Sequence, residues 1–86
     1  MTKKELILLL FDEHNEKTIK LLSDFPTLLH DLYTLNVYDE ACRLNIARGI
    51  RTYKQRSRDT AIKRYKMGVN QFYEMKKRVE WILRKL

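Results

Sequence analysis

Asn70, Tyr73, Lys77, Trp81 and Arg84 recur at intervals of three, four, four and three near the end of this chain, with Glu74 beside them. At ~100° per residue they fall on one side of a helix. Phe72, Met75, Val79, Ile82, Leu83 and Leu86 fall on the other, as a core-facing stripe. Amides, cations and aromatics on one helix face can hydrogen-bond base edges, neutralise phosphates and pack on a thymine methyl. A merely solvated face needs only Lys, Glu and Arg. The rings of Tyr73 and Trp81 lie in water unless something covers them: either a ligand does, or Trp81 packs on the N-terminal half of the chain and Tyr73 is simply half-exposed.

No other constellation offers chemistry of comparable specificity. His14 and His30 have no Ser or Cys partner at a known motif spacing. Asp12, Glu13 and Glu16 surround His14, but acids in an early helix are more simply explained by the helix dipole than by a metal. There is no phosphate-binding glycine loop. Cys42 is the only cysteine, so neither an intrachain disulfide nor a thiolate metal framework can form. It reads as a small core residue in a protein of the reducing cytoplasm. The expectation is a binding protein without cofactor or metal, not an enzyme.

The elements that must position the polar face lie within Ser57–Leu86. The pattern predicts a short helix with Ala61, Ile62 and Tyr65 inward, a tight turn at Met67–Asn70 and a longer second helix. Gly68 is expected to supply the positive φ that ends the first helix. Asn70 is expected to cap the second. In this helix–turn–helix Asn70, Gln71, Tyr73, Glu74 and Lys77 are the candidate base-edge or positioning residues. Arg58, Lys63, Arg64, Lys66, Lys76 and Arg84 are phosphate candidates, and Arg48, Arg51 and Lys54 extend the basic track.

The run Met67-Gly68-Val69-Asn70-Gln71-Phe72-Tyr73-Glu74-Met75-Lys76-Lys77 resembles the C-terminal motif of phage transcription regulators of the ArpU/RinA type. There an apolar–small pair is followed by Gln or Thr, two aromatics, two variable residues and a basic pair. Gly68 stands where that family often has Ser, and Phe72 where it often has Tyr. Residues 1–56 resemble nothing comparable. The resemblance implies a helix–turn–helix distantly related to region 4 of sigma factors, and a phage or mobile-element DNA-binding regulator.

The whole chain bounds this reading. Its 86 residues allow a single domain, and two glycines and one proline among many Leu, Lys, Arg and Glu predict an all-α bundle of about five helices. Residues 1–40 hold four lysines against eight acids, a net −4, while residues 41–86 hold fourteen Lys or Arg against three acids, a net +11. Only the second part suits double-stranded DNA or another polyanion.

Thr2-Lys3-Lys4-Glu5 has capping-box spacing and opens the first helix. The apolar run Leu6–Phe11 is too short to span a membrane and has no signal-peptide cleavage site after it. It is apolar on most sides, so a homodimer through this helix is expected. Asn15 is a possible break before Ile19, Leu21 and Leu22. A second helix is predicted over Pro26–Leu35, a connection at Asn36, and a third helix from Val37 to Arg56. The stripe of that third helix is Tyr38, Cys42, Ile46, Ile50 and Tyr53, with a break at Gln55–Arg58. The competing reading is a modulator that docks on a host transcription or replication protein, such as RNA polymerase or a sigma factor.

Overall fold

Thr2 starts the first helix as its spacing predicts. Its hydroxyl accepts from the Glu5 N–H at 3.2 Å, and the Glu5 carboxylate accepts from the Thr2 N–H at 3.3 Å. The computed structural model describes residues 1–86 as five helices and no strand: α1 (Lys3–Leu10), α2 (Glu16–Asp24), α3 (Leu28–Ala47), α4 (Tyr53–Tyr65) and α5 (Val69–Lys85). The break at Asn15 is present. Its side chain accepts from the Lys17 N–H at 2.9 Å and so caps α2. The buried Thr18 hydroxyl donates to the Leu9 carbonyl at 2.8 Å, beside the Asp12 N–H that the same oxygen accepts at 3.1 Å, and so ties α2 to the end of α1. Pro26 follows the end of α2. No helix is long and apolar enough to cross a membrane.

The expected connection at Asn36 does not exist. α3 runs unbroken through it for 20 residues. An exposed Asn costs a helix only roughly 0.7 kcal/mol relative to Ala. Against that, Leu28, Leu32, Leu35 and Tyr38 form one buried stripe across the position. The second misplaced boundary is the helix end. The chain leaves α3 at Ala47, not near Arg56, so the break falls at 48–52 and Gln55–Arg58 lies inside α4. Gly49 is the cause. At φ +72° it occupies the left-handed region. The Gly49 N–H reaches the Ile46 carbonyl at 2.9 Å and the Ile50 N–H the Asn45 carbonyl at 3.0 Å, which is a Schellman closure. The apparent stripe from Tyr38 to Tyr53 is therefore split between two helices, and Ile46 lies 54% exposed.

The α4–α5 turn also differs in detail from its expectation. Lys66, not Gly68, takes the left-handed conformation, at φ 51°. Gly68 is extended and is the N-cap of α5, with the Gln71 side chain accepting from its N–H at 3.4 Å. Asn70 is consequently inside the first turn, not the cap. Reversal at Lys66 brings the half-buried Met67 against the core, which accounts for a turn earlier than the glycine.

α3 is the central element, packed against by α1, α4 and α5. Leu6 and Leu10 of α1 and Phe72, Met75, Val79 and Ile82 of α5 close over its stripe. α4 contributes only Ala61 and Ser57 to fully buried positions, and such small side chains let it lie close to α3. The Asn45 amide donates to the Ser57 hydroxyl there at 3.0 Å. Leu86, expected on the α5 stripe, lies beyond the last turn and is exposed.

Tyr38 meets Phe72 edge-on, with ring centroids 5.3 Å apart. Burial pushes its phenol up to about 12, and the neighbouring Cys42 thiol reinforces the shift. The phenol is neutral in both folded and unfolded chains below its ordinary value of 10.0, so the fold bears no ionisation penalty there. That stability is lost as the pH rises from the ordinary value through the raised one. In an alkaline absorbance titration one of the five tyrosines should therefore ionise late, and Tyr38→Phe should remove that step.

Two substitutions test the packing by urea denaturation. Phe72→Ala should cost ~3–5 kcal/mol, as expected for a fully buried aromatic. Lys66→Gly should instead stabilise by ~1 kcal/mol, by relieving a left-handed residue with a β-carbon.

Candidate nucleic-acid interface

The α5 stripe assigned by rotation is buried, with Phe72, Met75, Val79 and Ile82 at 2% exposure or less. The opposite side is consequently open. Asn70, Tyr73, Glu74, Lys77 and Arg84 are all exposed. Tyr73 is the point where α4 and α5 meet on this side. An Arg58 guanidinium N–H donates to its hydroxyl at 3.2 Å. The guanidinium carbon lies 5.9 Å from its ring centroid, and the ring sits edge-on to Phe72 at 5.6 Å.

Arg58 also donates twice to one Asp59 carboxylate oxygen, at 2.9 and 3.1 Å. The Tyr73 hydroxyl first, and Asp59 second, hold its already high pKa higher still. Three of its nitrogens are thus engaged within the protein. Arg58 fixes the position of Tyr73 while presenting a partly occupied cation. Lys54, four residues earlier on α4, shares the Arg58 face and is exposed. Lys54, Arg58, Tyr73 and Lys77 therefore follow one another across the helix–turn–helix, with Asn70 one turn before Tyr73.

Other expected members lie elsewhere. Lys76 is half-buried, with its ammonium 5.2 Å from the Tyr38 ring centroid, so its cation covers a core aromatic. Gln71 caps Gly68 and, with Glu74, lines a groove shared with His30 and Asp31 of α3. Arg64 lines a different groove, between α3 and α4, with Asn36, Glu40 and Thr60. Lys63 is exposed on the side of α4 away from Ala61. Lys66 stands at the turn, and Arg48 and Arg51 sit in the α3–α4 connection. The basic track is thus a short line across α4 and α5 with separate cations around it.

Trp81 leaves that line. The residue is 48% exposed, its ring tilted against Phe25 at 6.2 Å, with the Lys85 ammonium 5.8 Å from the ring centroid. The N-terminal half covers it in part.

Sequence reasoning passed over Arg78 and Asp31. Asp31 is buried, with only 7% of its side chain exposed. It accepts from Arg78 at 2.8 Å and from the Thr27 hydroxyl at 3.1 Å, and so pins α5 to α3. The signal was present: Asp31 lies three residues after Leu28 and four before Leu35, on an apolar stripe, where a carboxylate needs a cation. Asp12, Glu13, His14 and Glu16 are exposed, and nowhere do three acidic, histidine or thiol groups gather as metal ligands would.

Comparison of the chain with protein-family models, with curated proteins and with solved structures finds no match.

Proposed function

We propose that this chain is a small DNA-binding protein that lays the N-terminal half of α5 in the major groove of double-stranded DNA. Its biological role, on this reading, is transcription regulation in a phage or mobile element, as the motif at Met67–Lys77 implies. The observation that carries the reading is the line of exposed Lys54, Tyr73 and Lys77 around the partly buried Arg58, with Asn70 beside it, in the half of the chain that bears the net +11. A long second helix, buried on one side and open on the other, is the arrangement by which a helix–turn–helix offers side chains to base edges. Asn70 and Lys77 suit bidentate or single contacts with purine edges. Lys54, Lys63 and Arg84 suit phosphates, which contribute affinity without reading sequence.

A second reading, docking on a host transcription or replication protein, draws on exposed apolar residues away from α5. Leu8 is 69% exposed and Leu44 is 53% exposed, beside an open groove between α3 and α4.

The test begins with selection of bound duplexes from random DNA, followed by anisotropy titrations at several salt concentrations. Lys77→Ala and Asn70→Ala should each cost ~1–3 kcal/mol on the selected site and narrow its advantage over other sequences. Lys63→Ala should weaken all sequences alike and reduce the salt slope by about 0.9. Folded variants that bind as the parent does, or a parent that binds no duplex, would reject the DNA reading in favour of the second.

A further inference from the structure

Two unlike surfaces meet in the chain at the start of α2. The first is a cleft between α2 and the end of α5, floored by Leu21 and the half-exposed Trp81. Lys17, Lys20 and Lys85 rim it, against the single acid Asp24. None of these three lysines has a salt bridge within the chain. The second surface is the α1–α2 connection, where Phe11 is 61% exposed and Asp12 and Glu13 follow it, also exposed. Neither acid has a salt bridge. An aromatic flanked by two acids is the complement of an aromatic-floored cleft rimmed by three cations.

We propose that the occupant of the Trp81 cleft is the Phe11-Asp12-Glu13 segment of a second copy of this chain, exchanged reciprocally about a two-fold axis. Lys17 rims the cleft and lies four residues after Glu13, so the acidic segment leads directly to the rim of the cleft. A two-fold axis between them lets each copy give its segment and receive the other's, the self-complementarity that an isologous dimer requires. Phe11 would then cover the Trp81 ring on the side that Phe25 leaves open, and the acids would meet the lysine rim. Aromatic residues at the centre with charges around them is the usual anatomy of such interfaces. This places the association at the end of α1 and not along its exposed Leu8 face. It does not depend on the chain binding DNA.

Trp81 is the only tryptophan, so its fluorescence reports on the cleft directly. With the intact chain, raising the concentration through the association range should shift emission to shorter wavelengths and protect it from iodide quenching, in step with dimer formation by light scattering. Phe11→Ser should abolish both changes. Glu13→Lys or Lys20→Glu alone should weaken association several-fold, and the double variant should restore it. A monomer at every concentration would overturn the proposal, as would a dimer whose Trp81 emission never moves. So would Trp81 protection that appears only on adding duplex DNA or a separate acidic peptide.

Discussion

α5 has one apolar stripe, and its burial on α3 determines everything the helix shows to solvent. Phe72, Met75, Val79 and Ile82 close over the α3 leucines, each contributing on the order of 1.5–3 kcal/mol by burial. The Asp31–Arg78 pair is a different kind of contact. Arg78 keeps 41% of its side chain exposed, so solvent screens the attraction, and the pair adds little net stability. Its effect is on register. The buried carboxylate meets its cation where α5 now lies along α3, and an α5 shifted along its axis would lose that contact. Apolar area holds the helix down and the ion pair sets where it lies. Together they leave Asn70, Tyr73 and Lys77 pointing outward.

What was legible in the sequence was periodic or local. The Thr2–Glu5 capping box and the Asn15 break could be read because the deciding contacts lie within a few residues, and the stripe of α5 because its helical period is carried by one segment. The boundaries around α3 could not. Asn36 is a weak helix former whose preference is outweighed by the leucines on either side. Gly49 falls inside the helix expected over Val37–Arg56, yet the hydrogen bonds that close α3 at that glycine mark it as an end. At the next turn the opposite error applies. Gly68 was the natural choice for a left-handed residue, but Lys66 takes that conformation because Met67 is drawn toward the core.

The candidate site divides in the same way. Rotation about one helix axis gave the open face of α5 correctly, because a single helix is enough to define it. It could not say which cations from other elements join that face. Arg58 reaches Tyr73 across 15 residues of sequence, and Arg78 reaches Asp31 across 47. Lys76 turns to Tyr38 and Arg64 to the α3–α4 groove, although both looked like surface cations in the sequence. The division of charge between the two parts of the chain survives folding in an altered form. Lys17 and Lys20 of the acidic part join Lys85 of the basic part around the Trp81 cleft, while the line from Lys54 to Lys77 crosses α4 and α5.

The central claim is that this line is the nucleic-acid surface. Amide chemical-shift mapping with isotopically labelled protein and a titrated DNA duplex tests it most directly, because it locates the contact residue by residue in the unaltered chain. The account predicts that the largest changes fall on Val69–Lys77 and on the first half of α4 around Lys54 and Arg58, with the buried leucines of α3 unmoved. Changes centred on α1, or on the Leu44 face of α3, would contradict it, as would a spectrum that duplex DNA leaves unaltered.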